Sequence, residues 1–63
     1  MTVTLAPGAW VRLSDAPEWG AGQIQSVIGH RVTVNFEHAG KRLVDAKLAT
    51  LVEAEAPGGS EDG

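Results

Sequence analysis

At 63 residues the chain is under half the length of an average domain, which excludes a multi-domain enzyme and leaves one small domain with a compact core. It has 0 cysteines, so no disulfide framework or thiolate zinc site staples it, a composition that fits a reducing compartment. The formal charge of -3 is unevenly spread. Residues 1–52 hold all five bases against four acids, and Glu53, Glu55, Glu61 and Asp62 make the C-terminal stretch acidic. A near-neutral globular part argues against a strong sequence-independent polyanion binder.

The longest apolar runs are two or three residues, far below the roughly 20 that a membrane span needs, and no basic n-region precedes an apolar stretch. A soluble, cytoplasmic protein that does not engage membranes is expected. Residues 1–7 form a lead-in in which Val3 and Leu5 alternate, a candidate frayed strand. Trp10 to Leu13 reads as a short strand with Val11 and Leu13 on the core face. Ser14-Asp15-Ala16-Pro17-Glu18-Trp19-Gly20 is too rich in turn formers to continue it. Gly22 to Val27 is the next strand, with Gln23 and Gln25 opposite Ile24, and Ile28-Gly29-His30 supplies the Gly that a tight hairpin demands.

Arg31 to Phe36 alternates strictly, placing Val32, Val34 and Phe36 on one face and Arg31, Thr33 and Asn35 on the other. The turn Glu37-His38-Ala39-Gly40 then leads into a third arm, Lys41 to Asp45. Beyond it two readings fit equally. Val44, Leu48, Leu51 and Val52 fall at i, i+4, i+7 and i+8, a helical stripe that Asp45 would cap. A single helical turn at 46–48 followed by a strand at 50–53 explains the same residues. Ala54 to Gly63 has nothing large to bury and reads as a disordered acidic tail. The predicted class is all-β, with five short strands over 8–53 curling into a small closed barrel that hides its edges.

Gly8-Ala9-Trp10-Val11-Arg12, Trp19-Gly20-Ala21-Gly22-Gln23-Ile24, Val32-Thr33-Val34-Asn35-Phe36 and Gly40-Lys41-Arg42-Leu43, followed by Leu48 and Leu51, carry a resemblance. Over residues 8–52 they resemble the C-terminal Tudor-like domain of UvrD/PcrA-type DNA helicases. They resemble still more closely a family of short, stand-alone bacterial proteins of unknown function that is similar to it. KOW and CarD-type modules share the simpler glycine patterns. The resemblance implies a five-stranded SH3-like barrel, favours turn plus strand for residues 46–53, and implies docking to RNA polymerase in transcription and repair. Trp19 matches the aromatic before Gly-x-Gly, and Lys41 and Arg42 match the basic start of the fourth strand. No helicase motor is present, so unwinding does not transfer.

The chemistry-bearing residues point the same way. Gly20-Ala21-Gly22 precedes a strand, whereas phosphate-cradling loops open a helix, so a bulge or tight bend is the expectation. His30 and His38 sit at predicted turns and match no metal-ligand spacing. Ser14 and Ser26 have no base at a recognisable offset, and Asp15 and Glu18 belong to a Pro-containing loop, so no catalysis and no cofactor are expected. Three aromatics, Trp10, Trp19 and Phe36, are too few for a methyl-lysine cage or a polyproline groove. The two tryptophans either plug the core or anchor a partner, and at least one is expected to be partly exposed. Arg12, Arg31, Lys41 and Arg42 are either ordinary solvated charge or one basic patch. The leading expectation is a monomeric, non-catalytic module that docks a protein such as RNA polymerase through Trp19, Arg12, Arg31, Lys41 and Arg42. The alternative is direct nucleic-acid binding through the same basic face with a base stacked on Trp19.

Overall fold

The computed structural model describes residues 5–56. Five strands, β1 (Trp10–Leu13), β2 (Ala21–Ile28), β3 (Arg31–Phe36), β4 (Gly40–Asp45) and β5 (Leu51–Glu53), form one antiparallel sheet in the order β4-β3-β2-β1-β5. The alternation read for β3 is the one found. Val32, Val34 and Phe36 are buried while Arg31 and Asn35 are exposed on the opposite face. Val11 and Leu13 of β1, Ile24 of β2, Val44 of β4 and Leu51 of β5 join them in a single cluster.

Beyond the strands, the one other regular element among the described residues is a 3-10 turn at Pro17–Trp19. No second layer therefore covers the core. Side chains with 0% exposure such as Val11, Val32 and Val34 are shielded because the sheet curls over its own concave face, with Ala16 buried and Leu5 and Trp19 partly buried against it. Hydrogen bonding does not close this curl. Among the described residues β4 pairs with β3 alone and β5 with β1 alone, so the sheet is open where a closed barrel was expected. The reason is length: β5 has three residues, and with one side committed to β1 it has too few backbone groups left to make a second ladder.

A β-bulge shapes β2. Ile24 pairs with Val34, but Ser26 pairs with Thr33, leaving Gln25 as the extra residue. The bulge reverses the inward–outward parity of the rest of the strand, so Val27 pairs with Val32 and packs half-buried against the core. Ile28 and Arg31 close the hairpin around Gly29-His30, where Gly29 has φ 61° and His30 a negative φ. That sign pattern is the one a type II′ turn requires, and it suits the right-handed strand twist.

The ambiguity after β4 resolves to turn plus strand. Leu48 and Ala49 N–H both donate to the Asp45 carbonyl at 2.9 Å, making one turn, and the chain then enters β5. Leu48 is 85% exposed, which no core-facing helical stripe allows. Residues 5–9 form turns rather than a strand, although Gly8 N–H reaches the Ile24 carbonyl at 2.8 Å and Ile24 N–H reaches that of Ala9 at 2.8 Å. Residues 54–56 have no regular structure. The rest of the expected lead-in strand and of the expected disordered tail, 1–4 and 57–63, lies outside the described residues. Among the described residues no helix is long and apolar enough to cross a membrane.

At the β2–β3 turn end, His30 Nδ1 and Asp45 Oδ1 lie 2.8 Å apart, and the same carboxylate oxygen accepts the Lys47 N–H at 2.9 Å. The Lys47 N–H, above all, then the His30 ring and the charge of Arg31 hold the Asp45 carboxyl below the usual aspartate value, against an opposing effect of burial. A depressed folded-state pKa gives stability that is present above the unfolded value of about 4 and disappears as pH falls through the folded value. Asp45→Asn keeps the acceptor for Lys47 but cannot titrate. The stability gap between wild type and Asp45→Asn, read from urea midpoints, should therefore narrow between about pH 5 and pH 3. A gap that stays constant over that range would remove this role for Asp45.

Candidate functional site

The turn Pro17–Trp19 and the β3–β4 turn meet at one end of the sheet. Pro17 sets the first residue of the turn, where its missing N–H costs nothing. Trp19 N–H then donates to the Ala16 carbonyl at 3.0 Å and Gly20 N–H to that of Pro17 at 3.1 Å. The opposing turn fastens to this segment through two bonds, Glu37 N–H to the Ala21 carbonyl at 2.9 Å and His38 N–H to the Trp19 carbonyl at 3.0 Å. Gly20 has φ 78°, and a Cβ there would lie 2.7 Å from His38 Cδ2 and 3.1 Å from Glu37 Oε1. Glycine is thus required by the backbone conformation, while the exposed His38 and Glu37 side chains would have to shift to admit a Cβ.

The backbone so arranged holds the Trp19 ring edge-on to Phe36, with centroids 5.2 Å apart and planes at 64°. Phe36 itself is buried in the core. On the open side, the Arg42 guanidinium carbon lies 5.0 Å from the Trp19 ring centroid, and Arg42 Nε donates to the Ala39 carbonyl at 3.2 Å. An exposed cation–π contact of this kind contributes about 0.5–1 kcal/mol. Its larger effect is to hold a long, otherwise floppy side chain in place, leaving the terminal N–H groups of the guanidinium free to take a carboxylate in a two-pronged bond.

The five residues expected to share the site are only partly assembled. Trp19 and Arg42 meet. Lys41 precedes Arg42 in sequence, but strand alternation sends it to the other face, where it pairs with Asn35. Arg31 shares that face with Lys41 but lies opposite Asp45 at the far end of β3 and β4, roughly 13 Å along the strand from the Lys41 row at about 3.3 Å per residue. Arg12 is on β1 opposite Ala21 and Val52, with β2 and β3 between it and β4. A single basic patch is therefore not formed. Trp10 and Trp19 are both half-buried.

Sequence reasoning places His38 and Glu37 in a solvated turn and gives them no role, whereas both stand beside the Trp19 segment. The available signal is Phe36: a core aromatic ending a strand forces the next turn to fold back across the mouth of the core. Sequence reasoning also misses a cleft of about 570 Å³ lined by Ala9, Trp10, Glu53, Ala54 and Glu55. Among the described residues no three His, Cys, Asp or Glu side chains cluster as metal ligands would.

No curated protein and no solved structure matches the chain. A family model does match, over residues 5–54, which span all five strands; the chain belongs to the family described as "Protein of unknown function (DUF3553)".

Proposed function

We propose that the protein is a non-catalytic, cytoplasmic docking module whose curled sheet is an SH3-like, Tudor-like barrel left open between β4 and β5, and whose partner is RNA polymerase or an associated protein of transcription and repair. The observation that carries this reading is the Arg42 guanidinium laid on the Trp19 ring. Trp and Arg are the residues most enriched among interface hot spots, and here they come as one pre-ordered unit on a surface rather than in a catalytic cavity. Lys41, on the opposite face of the same edge strand, adds positive charge, which favours an acidic partner segment and speeds its approach. Arg31 lies at the far end of β3 from this unit, and Arg12 lies on β1, with β2 and β3 between it and β4.

The test is a titration of purified, nucleic-acid-free bacterial RNA polymerase with wild type and with Lys41→Glu/Arg42→Glu. Affinity is expected to drop at least about tenfold in the variant, the usual scale for reversing charges at a docking centre. Equal affinities would overturn the reading. Single- and double-stranded DNA at low salt form a parallel arm. If DNA binds more tightly than polymerase, with affinity falling steeply as salt rises, the partner is a nucleic acid and the docking proposal fails.

A further inference from the structure

The two outer strands are edges of different kinds. Among the described residues each pairs on one side alone, but β5 has three residues and β4 has six, and no bulge interrupts the β3–β4 ladder. Edge strands are commonly blunted by shortness, by a bulge or by proline. β4 has none of these, and Leu43 near its middle is 65% exposed.

The ladder fixes which backbone groups are open. Ala46 N–H donates to the His30 carbonyl at 2.8 Å, and along an antiparallel pair the hydrogen-bonded and non-hydrogen-bonded residue pairs alternate. In that register Val44, Arg42 and Gly40 spend their backbone groups on β3, opposite Val32, Val34 and Phe36. Those of Lys41, Leu43 and Asp45 therefore point to the free edge. The Asp45 carbonyl is the exception, since it accepts the Leu48 and Ala49 N–H groups at 2.9 Å. The side chains of Lys41, Leu43 and Asp45 share the outer face, because they stand opposite Asn35, Thr33 and Arg31.

Turned through a half-rotation, this row complements itself. With Leu43 opposite Leu43 of a second copy, each Lys41 faces an Asp45. Lys41 has no ion-pair partner among the described residues, and Asp45 uses the same oxygen, Oδ1, for the His30 ring and the Lys47 N–H, which leaves Oδ2 for an incoming ammonium. The neighbouring registers lose this match. Arg42 opposite Arg42 brings two guanidiniums together, and Val44 opposite Val44 sets Lys41 against Lys47; like charges directly opposed destabilise a strand pair.

We propose that β4 pairs antiparallel with β4 of a second copy of this chain, with Leu43 on the twofold axis and Lys41 of each copy facing Asp45 of the other. The Leu43 N–H groups donate to each other's carbonyls and each Asp45 N–H to the opposing Lys41 carbonyl, which joins the two sheets into one. This dimer departs from the monomer expected from the sequence. Built from one strand of each copy, it belongs to the interfaces below about 1,200 Å² that associate weakly.

Sedimentation equilibrium and amide chemical shifts of the full 63-residue chain, at low ionic strength and up to about 1 mM to reach weak association, test it. The mass is expected to rise towards that of a dimer with concentration, and the shifts to move in residues 41–45. Leu43→Lys and Leu43→Glu should each weaken association at least about tenfold, because each sets like charges opposite one another on the axis. Mixed in equal amounts the two should associate again, since opposite charges then meet there. Lys41→Gln should weaken association several-fold, the scale of a pair of exposed ion pairs. Leu43 is exposed and lies outside the Trp19–Arg42 unit, so these variants keep their fold and the result stays separate from the polymerase titration. No association up to that concentration, association of either Leu43 variant alone as tight as wild type, a mixture no tighter than its components, an unaffected Lys41→Gln, or shifts confined to other strands would each overturn the proposal.

Discussion

Gly22→Ala is expected to cost about 3 kcal/mol, the upper end of the range for overpacking a core. The residue has no special backbone conformation; what it provides is space. A Cβ built on it would meet Phe36 Cδ1 at 2.7 Å and Phe36 Cε1 at 3.0 Å, and would lie closer still to Val34 Cγ1. Val34 and Phe36 are 0% and 2% exposed, so neither can swing aside into solvent. A domain of this size has a total stability of roughly 3–9 kcal/mol, and the loss corresponds to a fall in Tm of roughly 12–24 °C. Val34→Ala removes one of the obstructing methyls, so Gly22→Ala/Val34→Ala should be more stable than the sum of the single effects implies. Thermal melts of the four proteins check this, and strict additivity would show that Gly22 and Val34, diagonal neighbours on adjacent strands, do not meet on the buried face.

Truncation of the core aromatic should be equally severe. Phe36→Ala is expected to cost about 4 kcal/mol, the usual range for removing a buried phenyl ring being roughly 3–5 kcal/mol. The ring does two things: it fills the centre of the curl with Ile24 and Val34, and it supports the Trp19 indole from beneath. Phe36→Leu separates them. It keeps most of the volume, so the loss should stay below about 1.5 kcal/mol, while Trp19 loses its edge-on partner and moves towards water. In a Trp10→Phe background the Trp19 emission of Phe36→Leu should shift to the red without unfolding. Urea titration gives the first quantity and fluorescence the second. A Phe36→Ala cost under about 1 kcal/mol would mean that the sheet does not curl over this ring.

Strand β3 is directly readable because its apolar and polar residues alternate without exception, and the turns on either side each contain a glycine with positive φ. The bulge in β2 is not. Gln25 is polar and so is Ser26, and nothing in a polar pair says which is the extra residue. Strict alternation from Ile24 consequently sends Val27 outward, when the structure turns it in. The segment after β4 is ambiguous in sequence for another reason: Leu48, Leu51 and Val52 satisfy a helical spacing, and only burial distinguishes the readings. Barrel closure does not follow from the pattern either, because alternation reports which face is buried and not whether the two outer strands are long enough to pair.

The candidate site is legible residue by residue but not as an arrangement. Lys41 and Arg42 are neighbours in sequence, which suggests joint action, yet the two-residue period of a strand separates them. Trp19 and Arg42 are distant in sequence and come into contact because two turns are fastened by the Glu37 and His38 amides.

Docking through the Trp19–Arg42 end can be read residue by residue from amide hydrogen exchange of the wild-type chain with and without saturating, nucleic-acid-free RNA polymerase. Exchange is expected to slow in residues 18–20 and 37–42 and to stay unchanged at the far end of β2 and β3, residues 26–33. Unaltered exchange at those two turns, while the polymerase is demonstrably bound, would refute docking at this end of the sheet.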